Sequence, residues 1–186
     1  VSELTPWVGP VAGGTRVNVL GLKFKDSHRW LCRYGRGATG TWLGSYAVAN
    51  KTSIARLIDG QQMECESPSH GAGLKEVEVS MNAQQYTDTE VQFEFQPTRR
   101  VSSLYPVQGI REGGTLVTVS GTAFSSRSAS MGYIHCRFNI PLVRALFYSA
   151  SKLVCTPPGM PEAYAAVEVT NNDRDYSADG VLFEFV

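Results

Sequence analysis

Apolar and polar residues alternate with a period of two along short stretches of this chain. Thr15-Arg16-Val17-Asn18-Val19 alternates, Thr115-Leu116-Val117-Thr118-Val119 does so less cleanly, and Glu76-Val77-Glu78-Val79 and Val91-Gln92-Phe93-Glu94-Phe95 follow the same rule. Ala166-Val167-Glu168-Val169 and Leu182-Phe183-Glu184-Phe185 repeat it near the other end. Successive side chains of a strand point to opposite faces, so this period predicts half-buried antiparallel strands. The predicted core is Val17, Val19, Phe24, Val77, Val79, Phe93 and Phe95, then Val117, Val119, Phe124, Val167, Val169, Phe183 and Phe185. No segment sustains a capped helical period; Val143 to Ser149 comes nearest. Gly-Gly ahead of a strand, Gly21 and Gly121 after it, and Pro6 and Pro106 near its approach mark turns and edges. Short strands with regular turns predict a β-sandwich.

The pattern occurs twice. Residues 1–24 match residues 101–124 at a shift of 100, superposing Val1, Leu4, Pro6, Gly9, Gly13-Gly14-Thr15, Val17, Val19, Gly21 and Phe24 on their counterparts. Further on the shift becomes 90, and VEV at 77–79 falls on VEV at 167–169. A repeat of this length exceeds the roughly 20–50-residue period of solenoids, and each copy can carry its own core. Two domains are therefore expected, at residues 1–96 and 97–186. Gln96-Pro97-Thr98-Arg99-Arg100 joins them, too short and stiff for a flexible tether, so limited bending is expected. The chain starts at Val1 without an initiator Met and ends right after FEF at 183–185, where another linker would begin. It reads as a fragment or mature form of a longer chain with further repeats.

Composition narrows the function. Seventeen basic and seventeen acidic residues leave no net charge, hence no basic footprint for nucleic acid and no polybasic membrane anchor. Each copy holds two cysteines at matching places, Cys32 and Cys65, then Cys136 and Cys155, without CxxC or zinc-finger spacing. One matched pair per copy reads as two intradomain disulfides and an oxidising compartment. Four buried reduced thiols are the alternative.

The run Pro6, Gly9, Gly13-Gly14-Thr15, Val17, Val19, Gly21, Phe24, Cys32-Arg33-Tyr34, Cys65-Glu66-Ser67-Pro68 resembles the IPT/TIG domain. So does Pro106, Gly109, Gly113-Gly114-Thr115, Val117, Val119, Gly121, Phe124, Cys136-Arg137-Phe138, Cys155-Thr156-Pro157-Pro158. The resemblance implies an all-β chain of two tandem immunoglobulin-like, early-set β-sandwiches. The family occurs in ectodomains of plexins, scatter-factor-type receptor kinases and fibrocystin-like proteins, in Rel-type transcription factors, and beside cyclodextrin-forming enzymes. Fold alone does not choose among these. The paired cysteines fit the extracellular branch.

His28, His70 and His135 lie in unrelated contexts without a GxSxG elbow or HExxH, so no catalytic residue is assigned. A phosphate cradle at Gly13-Gly14-Thr15 would need a following helix, where a strand is expected instead. Asn171-Asn172-Asp173-Arg174-Asp175 starts like a calcium loop, but Tyr176 and Leu182 stand where glycine and glutamate belong. No metal or cofactor is expected. Asn50-Lys51-Thr52 is the one glycosylation sequon. The first copy has 32 residues between its cysteines and the second 18. The excess, around Arg36, Trp42 and Tyr46, is the candidate interaction loop, against the alternative of a lid folded onto its own sandwich.

The expectation is a non-enzymatic extracellular or cell-surface module of a larger multi-repeat protein, acting by protein–protein contact, by self-association or as a spacer. Nucleic acid is not an expected partner, a glycan at Asn50 is, and a membrane enters only through other parts of the parent chain. The rivals are a carbohydrate-binding accessory module, with Trp30, Trp42 and Tyr46 as stacking faces, and a Rel-type DNA-binding or dimerisation pair.

Overall fold

The computed structural model describes residues 1–25, 27, 29–35, 51–161 and 163–186. They form two compact units, Val1–Pro97 and Thr98–Val186. Both are β-sandwiches of the expected class.

In unit 1 the strands are β1 (Glu3–Thr5), β2 (Val8–Pro10), β3 (Arg16–Leu20), β4 (Leu31–Tyr34), β5 (Lys51–Leu57), β6 (Gln62–Glu66), β7 (Gly73–Ser80) and β8 (Gln92–Gln96). Their order is β1-β3-β6-β5-β4-β7-β8-β2. Strand β5 serves both layers: Lys51 to Ile54 pair with β4, and Ala55 to Leu57 pair with β6. The leading strand also changes layers. Strand β1 pairs with β3, the chain turns at Pro6, and β2 runs parallel to β8. The peptide bonds before Pro6 and Pro106 are cis. Proline donates no backbone hydrogen bond, so a switch between sheet edges is where it fits.

Unit 2 repeats the plan with β9 (Arg100–Tyr105), β10 (Gln108–Gly109), β11 (Val117–Thr122), β12 (His135–Phe138), β13 (Leu142–Arg144), β14 (Leu146–Ser149), β15 (Lys152–Cys155), β16 (Tyr164–Thr170) and β17 (Leu182–Phe185). One sheet runs β10-β17-β16-β12-β13 and the other β14-β15-β11-β9. Strands β13 and β14 are the counterpart of β5, broken at buried Ala145, whose N–H donates to Ile134 as that of Ala55 donates to Trp30. The stretch Val143 to Ser149, nearest to a helical pattern in sequence, is thus strand in both halves. The short helix α1 (Ser126–Ser130) is elsewhere, and its five residues are too few to show a period. Ser125 caps it by accepting from the Ser128 N–H.

All fourteen residues of the predicted core are buried, from Val17 and Phe93 to Val117 and Phe183 at 0% exposure. They fall into two separate clusters, one per unit. Each cluster is crossed by a disulfide joining the two layers: Cys32 on β4 to Cys65 on β6, and Cys136 on β12 to Cys155 on β15. The Cα atoms are 6.3 Å apart in both. The Gly-Gly turns sit tight against the chain that follows each second cysteine. Gly13 and Gly113 have φ of 79° and 83°, and a Cβ there would come within 2.5 Å of Pro68 and 2.4 Å of Pro158. Only glycine meets both conditions.

Candidate interaction surface

The two units differ most at one hairpin. In unit 1, Tyr34 of β4 pairs with Lys51 of β5, so residues 35–50 are enclosed by that pair. In unit 2, the Phe138 N–H donates to the Pro141 carbonyl, enclosing only Asn139 and Ile140. The extra chain therefore belongs to the β4–β5 hairpin. Arg36, Trp42, Tyr46 and Asn50 lie outside the described residues, as does His28. The rest of the sequon is described: Lys51 and Thr52 open β5 and are exposed. Lys51 reaches Ser69, its Nζ 3.2 Å from the Oγ.

The outer face beside this hairpin carries a constellation found in both units. Arg33 on β4 and Glu78 on β7 are directly opposite in register. Both Nε and Nη2 of Arg33 donate to Glu78 Oε2, at 2.8 and 2.6 Å, and the guanidinium lies 3.7 Å from the centre of the Tyr86 ring. In unit 2, Arg137 opposes Glu168, donates to its Oε2 at 2.7 and 2.5 Å, and lies 3.8 Å from the Tyr176 ring. A planar guanidinium offers its edge to a carboxylate and its face to a ring at once, which an ammonium does not. Burial raises the Tyr176 pKa, with Arg137 opposing. The arrangement is internally satisfied, so it clamps the loop after β7 or β16 to the sheet; it is no open anion site. The sequence carried its signal in Cys-Arg-aromatic, twice, but no role was assigned to the arginine.

The remaining candidates resolve into structural roles. The Asn172 Oδ1 accepts from the N–H groups of Arg174 and Asp175, and its Nδ2 donates to Asp175 Oδ2 at 2.7 Å. Asn82 builds the same turn in unit 1, accepting from Gln84 and Gln85. Asp179 Oδ2 accepts from the Val101 N–H at 2.7 Å. These oxygens hold backbone, as a hairpin loop requires. Among the described residues no three His, Cys, Asp or Glu gather at one point. His135 Nδ1 lies 2.6 Å from Asp173 Oδ1, and His70 stacks on Phe95 with ring centroids 5.1 Å apart. Trp30 is no stacking face: it is 5% exposed, edge-on to Phe24, with its indole N–H donated to the Lys25 carbonyl. Its size and alternation suit the core, so the rival carbohydrate-binding reading loses this stacking face.

The model of the IPT/TIG domain matches this chain twice, over residues 1–95 and 100–185. Human Plexin-A4 is 26% identical over 201 residues, covering all of this chain and 9% of that protein. Plexin-2 of Caenorhabditis briggsae is 24% identical over 128 residues, covering 68% of this chain and 6% of that protein. Among solved structures, the full extracellular region of Plexin A4, domains 1 to 10, has a TM-score of 0.53 at 21% identity, covering all of this chain and 15% of that one. The chain thus spans a small part of the relatives it matches.

Proposed function

We propose that this chain, which belongs to the IPT/TIG domain family in both halves, is a pair of non-enzymatic interaction and spacing modules in the extracellular part of a larger receptor. Two complete, separately cored sandwiches with one disulfide each suit an oxidising compartment and a load-bearing place in a tandem array. The plexin relatives support the receptor setting. A membrane is reached only through other parts of the parent chain, and no nucleic acid is bound.

The observation that carries the contact surface is the hairpin difference: residues 35–50 in unit 1 against Asn139 and Ile140 in unit 2. Unit 2 closes the same sandwich plan without the extra chain, so the fold as such does not call for it. Its Trp42, Tyr46 and Arg36 are residue types that dominate binding energy at protein interfaces. A glycan on Asn50 would mark the adjoining, solvated side.

Deleting residues 36–47 tests this reading. Both units should keep their unfolding transitions, while self-association by sedimentation and attachment of the labelled chain to cell surfaces should weaken. Unfolding of unit 1 would make the loop a structural lid. Unchanged association would move the interface elsewhere. Mass loss on enzymatic deglycosylation reports the Asn50 glycan.

A further inference from the structure

Corresponding ends of the two sandwiches differ in polarity. In unit 2 the end beside the β12–β13 hairpin is closed by apolar side chains. Phe138, Met160 and Ala165 belong to its core, Val143 packs against them, and Pro141 closes the hairpin. Unit 1 has a polar group at every one of these places. Register and the shift of 90 put Lys51 for Pro141, Ser53 for Val143, His70 for Met160 and Lys75 for Ala165, while Tyr34 replaces Phe138.

Strand alternation turns these groups towards the interior. Lys51 pairs with Tyr34, Ser53 with Cys32 and Lys75 with Phe93, and all three partners are buried. His70 stacks on Phe95, which Tyr34 meets edge-on at 5.9 Å. Through Ser69, Lys51 reaches the chain that follows β6 in the other layer. Burial lowers the His70 pKa, and the charges of Lys75 and Lys51 lower it further. The two lysines and the imidazole thus share one end of the sandwich.

The fold leaves this end unbalanced. The hydroxyls of Tyr34 and Ser53 and the Nε2 of His70 are buried without a hydrogen-bond partner among the described residues. Among the same residues no carboxylate pairs with Lys51, His70 or Lys75. Glu66, Glu76, Glu78 and Glu94 take the alternate phase of their strands and face outward. Residues 35–50 include Arg36 and contain no Asp or Glu. Unpaired buried donors and neighbouring like charges both cost stability. Unit 2 closes the same plan with apolar groups instead. Such departures from internal consistency are characteristic of functional sites.

We propose that this end of unit 1 is an oxyanion site that takes a sulfate group between Lys51, His70 and Lys75. The ammonium groups supply charge and donors, the imidazole supplies an N–H, and the Ser53 and Tyr34 hydroxyls are the buried donors behind them. A tetrahedral oxyanion has lone pairs in every direction, so it can accept from both layers at once, and its hydrogen bonds to ammonium groups are charge-assisted. The sulfate is a free ion or an ester on a sugar chain; the second source rests on the extracellular reading.

The test titrates the whole chain with sodium sulfate at constant ionic strength, then with a sulfated heparin disaccharide and its desulfated form. Trp7, Trp30 and Trp42 account for all three tryptophans and belong to the first repeat, so tryptophan emission follows unit 1 alone. Sulfate at ten times its dissociation constant should raise the tryptophan-detected midpoint by about 5 °C or more. Sulfate strengthens burial in any protein, so K51A and K75A are the controls: they should keep the general gain and lose the excess. The side-chain resonances of Lys51, His70 and Lys75 should shift together along one saturable curve. Saturation by the sulfated disaccharide at a tenth of the ion concentration or less would make the ligand sugar-borne; saturation at equal or higher concentration would make it the free ion. Equal gains in the parent chain and both lysine variants would overturn the proposal. So would shifts that do not saturate, or equal binding of the desulfated disaccharide. No partner protein takes part, so failure here stands apart from failure of the interaction reading.

Discussion

Tyr34 and Phe138 hold the same position in the two cores. Each is fully buried and edge-on to the last strand, Tyr34 to Phe93 at 5.7 Å and Phe138 to Phe183 at 5.9 Å. They differ by one hydroxyl. That oxygen has no hydrogen-bond partner among the described residues, and burial pushes its pKa upward. Leaving such a group unpaired costs about 1–3 kcal/mol. Y34F should therefore stabilise unit 1 by about 0.5–2 kcal/mol in urea unfolding followed by tryptophan emission. A loss of stability would mean that the hydroxyl is bonded.

The arginine clamps should not tolerate lysine. R33K and R137K keep the charge but lose the second donor to one carboxylate oxygen and the flat face on Tyr86 or Tyr176. Each should cost about 1 kcal/mol, the scale of a partly exposed pair plus a cation–π contact. The loop after β7 or β16 should exchange amide hydrogens faster. Unchanged stability and exchange would show that the clamp does not hold the loop.

Protonation of His70 should weaken unit 1. Burial lowers its pKa from the usual value, aided by Lys75 and Lys51 and opposed by the Gly71 carbonyl. The unfolded chain takes up a proton at about pH 6.5, whereas the folded one does so only lower. Stability from this group is thus complete above about pH 6.5 and falls as pH drops through that value towards the folded pKa. His70→Met, the residue unit 2 has at Met160, should flatten the unit 1 unfolding midpoint between about pH 7 and 5. An equally steep profile in that variant would assign the slope to another group.

Reduction should strike both units. The cysteines are 33 and 19 residues apart, and closing loops of these lengths is worth about 3–4 kcal/mol each by chain entropy. Calorimetry with and without reductant should show both transitions move down. C136A/C155A should lower only the unit 2 transition; a change in the tryptophan signal would tie the two units together energetically.

Much of this architecture is readable from residue order alone, because its causes are local. Period-two alternation at Val17 and Val19, or Phe93 and Phe95, specifies which face is buried, and a slip of one residue would turn every one of them to water. Repetition of that pattern, with the Gly13-Gly14 turn and a cysteine pair in each copy, is sufficient for two sandwiches. The clamps and the burial of Arg99 against the Val169 carbonyl were not readable. Arg33 and Glu78 are 45 residues apart, and Arg99 and Val169 are 70 apart, so no local period connects them. The alternation of Trp30 with Cys32 and Tyr34 suits a buried face, but the Lys25 carbonyl that accepts its indole N–H and the Phe24 edge it packs on come only from the folded chain. Ala55 and Ala145 look alike in sequence, yet one lies in a continuous strand and the other breaks it. Local patterning decides which side chains must leave water. Only the packed sheets decide which distant groups meet, because those encounters depend on the register of strands that sequence distance does not encode.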